Sequence, residues 1–199
     1  MFSPVGDHFQ VVADVEASEA EAPALAEAIA YWLAGTGVIR TGATGCVLGA
    51  DAGYPPGPNF RAVTTEPNED FLTLWTNGVE VTAHRQVFHP GQGELGTVAC
   101  PQCDQTVLLS DPATGAVTDH WGPFGDALNT WYSGGSSLVR CSHCGRMIEF
   151  NDWLWIGGGP FALGFLGLIF WNWPKLSAEF VQQVADHLGH RVVVTGGKL

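Results

Sequence analysis

The sequence predicts an α+β protein with a small cysteine-bearing module set into it, and three observations carry that prediction. Strand-like and helix-like segments alternate as strand–helix–strand at both ends of the chain. A long apolar run lies within the second of these units. Two CxxC pairs, in VACPQCDQ and VRCSHCGR, stand between the units. With 199 residues the chain can bury a sizeable core within one domain.

The elements follow in order. HFQVVADV (8–15) reads as a strand. Beyond it, Leu25, Ile29, Trp32 and Leu33 recur at helical spacing. Pro23 suits a first-turn position, so the helix starts near Ala22, and Gly35 and Gly37 supply its stop. Residues 37–41 are expected as a second short strand and 42–70 as loop, because GYPPGPNF admits no regular structure. FLTLWTNGVEVTAHRQVF then predicts a hairpin turning at Asn77-Gly78, the preferred pair for a type I′ turn. In the cysteine segment SDPATG is a turn, and WGPFGDALNTWYSGG an extra loop or one short helix. Phe161–Trp173 reads as a strand buried on both faces. Ser177 caps a helix whose Phe180, Val181, Val184 and Leu188 share a face, Gly189 ends it, and HRVVVT returns as a strand.

Two such halves lay their helices on one face of a mixed or antiparallel sheet, an arrangement that resembles the ferredoxin-like sandwich. Residues 1–95 and 151–199 then form one α+β domain, with 96–150 an inserted module.

Composition limits the partners. Apolar residues make up 46% and charged residues 14%, the balance of a packed globular protein. The formal charge is −12, and residues 1–39 hold six acids and no Lys or Arg. A field of that sign disfavours nucleic acid and anionic membranes; it suits a basic protein partner, or simply solubility. The oligomeric state is not legible. MFSPVGDHFQ lacks the basic and apolar regions of a signal peptide, and paired CxxC motifs suit a reducing cytoplasm. The 22 uncharged residues 153–174 are long enough to span a bilayer. Their GGGP break and the lack of a flanking basic cluster favour a buried strand.

Four thiolates are the shell that Zn²⁺ accepts as a tetrahedron, and each CxxC turn converges two of them on one point. Cys100-Pro101-Gln102-Cys103 and Cys141-Ser142-His143-Cys144-Gly145-Arg146 resemble the knuckles of the zinc-ribbon and rubredoxin-like group. The resemblance covers about residues 96–150 and implies one structural zinc on Cys100, Cys103, Cys141 and Cys144. Gly145 suits the positive φ that a knuckle needs after its second cysteine. Asp104 departs from that pattern but tolerates the same conformation. The spacer 104–140, at 37 residues, exceeds the compact pattern. Redox exchange and iron remain the alternatives. A thioredoxin-like pair opens a helix, whereas strand-forming QTVLL and GRMIEF follow these pairs.

Other candidates are weaker. Gly91–Gly96 matches GxGxxG but leads into a knuckle rather than a helix, and reads as a turn. Ser136-Ser137 after Gly134-Gly135 make no nucleophile elbow. Cys46 reads as a small buried residue. His84, Arg85 and His89 cluster at the hairpin end as an anion or second metal site, or as a solvated face. Trp121, Trp131 and Tyr132 in the module are candidate partner contacts, against the alternative that they pack the module onto the body. The functional expectation is therefore a non-catalytic, inhibitor- or immunity-like protein-binding or regulatory protein with a closed zinc site. The competing expectation is an enzyme, hydrolase-like, with a pocket near the hairpin lined by His84, His89 and Asp70.

Overall fold

The computed structural model describes residues 7–66, 68–92, 95–157 and 159–199. They form helices and antiparallel sheets, an α+β arrangement. The main sheet has four strands: β1 (His8–Asp14), β2 (Val79–Thr82), β10 (Leu166–Trp171) and β11 (Val192–Lys198). Their spatial order is β11-β1-β10-β2, every neighbour antiparallel. Helices α1 (Ala22–Gly35) and α3 (Ala178–Leu188) cover one face. They bury Ile29, Leu33, Phe180, Val184 and Leu188 against Val12, Leu168 and Phe170.

Local chemistry places these elements. Ser18 and Glu21 bond reciprocally ahead of α1, and those hydrogen bonds lower the Glu21 carboxyl below its ordinary range. At its C-terminus Gly37, at φ 73°, lets Val38 N–H reach the Leu33 carbonyl at 2.9 Å. Ser177 Oγ accepts from Phe180 N–H at 3.1 Å to open α3, and Gly189, at φ 72°, closes it.

Strand β10 and its short predecessor β9 (Ala162–Gly164) are buried throughout, as the apolar run predicts. No helix of the described residues is long and apolar enough to cross a membrane. The rear face of the sheet packs Phe9, Val11, Ala13, Ile169 and Trp171 against Cys46, Val47, Phe88 and Ala162.

Two expectations fail. Residues 71–88 form no hairpin: 70–73 are a 3-10 turn, β2 pairs with β10, and β3 (Gln86–Phe88) pairs with β9. A type I′ turn needs positive φ at both central residues, and neither Asn77 nor Gly78 has it. Gly78 is instead pressed beneath the 46–47 loop, where a Cβ would lie 2.2 Å from Cys46 Sγ. The expected strand at 37–41 reduces to one bridge, Ile39 to Pro56. The strand after α1 is therefore β2, some forty residues later in the chain.

The cysteine segment has its own core, centred on Val98, Leu109, Phe124, Val139, Phe150 and Trp153. It contains β4 (Thr97–Ala99), β5 (Thr106–Leu108), α2 (Gly122–Tyr132), β6 (Leu138–Arg140) and β7 (Met147–Glu149). Strand β8 (Leu154–Ile156), beyond residue 150, pairs with β4. The chain leaves and returns through a narrow neck: a Cβ on Gly96 would meet the Gly157 carbonyl oxygen at 2.1 Å.

Two predictions follow from this packing. Phe170 is fully buried and touches Trp173 and Phe180 edge-on. Phe170→Ala should cost about 3–5 kcal/mol, read from urea denaturation. His190 Nδ1 lies 2.8 Å from Oδ2 of buried Asp14, whose Oδ1 accepts the Glu16 and Ala17 amides. That hydrogen bond raises the imidazole pKa against the opposing effect of burial. A raised folded-state value stabilises fully below the ordinary histidine value, about 6.5, and the contribution fades as pH climbs through the raised one. The urea midpoint should fall over that window, and His190→Gln should flatten the fall.

Candidate metal centre

Each CxxC pair sits at the bend of a strand–knuckle–strand unit. Cys141 follows Cys100 by 41 residues and Cys144 follows Cys103 by the same step. The paired strands keep the same offset, Val98 opposite Val107 and Val139 opposite Ile148. The backbone bonds also match. Asp104 N–H donates to the Cys100 carbonyl and Gly145 N–H to the Cys141 carbonyl, both at 2.9 Å. Cys100 N–H donates to Gln105 at 3.0 Å and Cys141 N–H to Arg146 at 2.8 Å. These tight turns force a left-handed residue after the second cysteine, and Asp104 (φ 57°) and Gly145 (φ 71°) both adopt it.

The two units face each other and bring the four sulfurs together. Cys100 Sγ lies 3.9 Å from Cys144 Sγ, and Cys103 Sγ 3.9 Å from Cys141 Sγ. All four lie within 4.8 Å of one another. A tetrahedron of sulfurs about 2.3 Å from a central ion has edges of about 3.8 Å, so the cluster is sized to hold one metal ion. Cys100 and Cys141 are buried, Cys103 half-buried and Cys144 exposed. Arg146 Nη1 ties the knuckles by donating to Gln102 Oε1 at 2.9 Å. His143 is exposed and outside the cluster.

The Cys141 and Cys103 thiols are shifted in opposite directions. Burial pushes Cys141 up, but the amides of Cys144 and His143, with the Cys144 and Cys100 thiols, bring it down to about 6. At Cys103 the Gln105 amide favours the thiolate, yet burial and the other three thiols raise it to about 12.

The aromatic candidates divide. Trp131 packs the module onto the body: Arg85 lies 4.1 Å over its ring, Phe165 meets it edge-on at 5.2 Å, and Arg85 Nη1 donates to its carbonyl at 3.0 Å. Trp121 is half-buried, stacks on Phe124 and meets Phe161 at a tilt. Tyr132 is 67% exposed. Outward on the β5-β4-β8 sheet lies a row that sequence reading missed, Leu108 (41% exposed), Ile156 (51%) and Leu154 (55%). Leu108 and Ile156 both stand opposite Thr97. The signal was the alternation of these residues with buried Val107, Leu109 and half-buried Trp155.

The remaining candidates scatter. His84 Nδ1 contacts Thr82 Oγ1 at 3.0 Å, and Asp70 opens a 3-10 turn. His89 accepts from Gly91 N–H at 3.0 Å and lines a cavity behind the main sheet, a lining that excludes His84 and Asp70. Cys46 is buried, its thiol 3.3 Å from the Gly53 carbonyl oxygen. In the GxGxxG stretch Gly93 and Glu94 lie outside the described residues, and strand β4 follows, not a helix. Comparison of the chain with family models, curated proteins and solved structures returns no match.

Metal analysis of the purified protein should give one ion per chain, and Cys141→Ser should abolish it. The Cys103 proton must leave on binding. Apparent affinity, measured by chelator competition, should therefore rise at least about tenfold per pH unit between pH 6 and 8.

Proposed function

We propose that this is a non-catalytic zinc protein of a reducing compartment that binds and regulates a basic protein partner. In this reading the body, 1–95 and 151–199, is a ferredoxin-like sandwich. Its support is the strand order β11-β1-β10-β2, with α1 after the first strand and α3 before the last. The insertion is a zinc ribbon, its four thiols closing the coordination shell and leaving no position for substrate. The β4–β8 pairing supports counting residues 151–156 with the insertion in this reading, rather than with the body.

The observation that carries the binding role is the outward row Leu108, Ile156 and Leu154. Three aliphatic side chains share one solvent face of a module whose residues 100–150 hold five acids and two arginines. An apolar patch on an acidic segment complements a basic protein surface. Of the candidate aromatics, Tyr132 is the one that faces solvent.

A photo-crosslinking residue at Ile156, with a control at exposed Glu27, tests the role. The expected product is a basic protein captured through position 156 alone, weakened by salt and lost in Leu154→Arg. Capture of nucleic acid or lipid alone would sink it. The competing enzyme reading, expected on His84, His89 and Asp70, keeps only His89 in a cavity, now beside Glu80, and it requires a turnover that His89→Ala abolishes.

A further inference from the structure

Behind the main sheet, on the face away from the helices, lies a cavity of about 180 Å³. Phe9 and Trp171, neighbours across β1 and β10, lie in its lining with Phe88 and His89 from the β3 side. Their rings are set at angles: Phe9 meets Trp171 at 5.6 Å and 47°, and His89 at 5.7 Å and 72°. Among these apolar walls stands Glu80 on β2, opposite Ile169 and 7% exposed. Its Oε2 accepts from the Trp171 indole N–H at 3.2 Å. Among the described residues it has no other hydrogen bond and no ion pair, and no Lys or Arg lines the cavity.

A buried carboxylate with so little compensation costs stability, and an aliphatic side chain would pack this strand position without that cost. A cation in the cavity removes the anomaly. Aromatic faces attract an ammonium group, and the carboxylate supplies the opposite charge in a poorly screened place. At roughly 30 Å³ per water-sized group, the space holds about six heavy atoms. We propose that this cavity is a binding site for an alkylammonium group, with Glu80 as counter-ion and Phe9 and Trp171 as its aromatic walls. The group is a free small amine or the end of a lysine side chain, and the inference does not need the module's docking role.

The test is NMR titration of the full-length, metal-loaded protein with n-butylammonium chloride, tetramethylammonium chloride and N-acetyl-lysine methylamide in parallel. Sodium chloride and n-butanol serve as controls. The Trp171 indole N–H reports directly, because Glu80 is its acceptor. The expected result is a saturable shift of that resonance and of the Gly49 and His89 amides, with at least one ammonium probe. Glu80→Gln, which keeps an acceptor for the indole, should weaken binding at least about tenfold, as loss of a charge in a poorly screened site does. Phe9→Leu, which keeps the packing apolar, should weaken it several-fold. Preference for the lysine amide over n-butylammonium assigns the site to a protein side chain, and the reverse to a free amine. Equal response to n-butanol, no saturable shift by 50 mM, or unchanged binding in both folded variants overturns the proposal.

Discussion

Everything in the body depends on burying β10 on both faces. LGLIFW carries no polar side-chain group but the Trp171 indole N–H, so it needs a partner strand on each edge and a packed layer above and below. Strands β1 and β2 satisfy its two edges. Helices α1 and α3 cover Leu168 and Phe170, while Phe9, Val47 and Phe88 surround Ile169 and Trp171. The two faces then differ in kind. The helical face is continuous aliphatic and aromatic packing. The rear face is roofed by loops and the short β3–β9 ladder, and there a cavity and an under-compensated carboxylate survive.

The module meets the opposite problem. Its strands are three residues long and its core is small, too little to order two separate bends without help. The four sulfurs bring those bends to one point, where a bound metal ion would substitute for missing apolar area. Attachment to the body is by contacts of another sort. Asn151 closes a double hydrogen bond on the Leu163 backbone, at 2.7 and 2.9 Å, and Arg85 is held between Trp131 and Phe165.

Local signals were legible and long-range ones were not. Ser177 and Gly189 marked the ends of α3, and the residues after each CxxC marked the knuckle turns, because caps and positive φ depend on near neighbours. Asn77-Gly78 misled, because its glycine answers to the crowding of Cys46 from outside the segment. Trp131 and Tyr132 are adjacent in sequence, yet one is clamped by Arg85 and the other faces solvent. Composition alone assigned them together, and only the direction of α2 separates them. Glu80 likewise reads as the polar member of an alternating strand until the sheet turns it inward.

The neck at Gly96 and Gly157 has a consequence for how such a chain can change. Its two sides touch, so the body closes over the same short gap whatever lies beyond it. The entropy of closing a loop grows only with the logarithm of its length, so a sixty-residue excursion costs the body about 2 kcal/mol more than a tight turn would. Changes of length are therefore tolerated best at the far bends of the cysteine segment, because its base is tied to the sheet side by Trp131 on Phe165 and by Asn151 on Leu163. A metal ion on the four sulfurs would stiffen that far end without touching the strands of the main sheet.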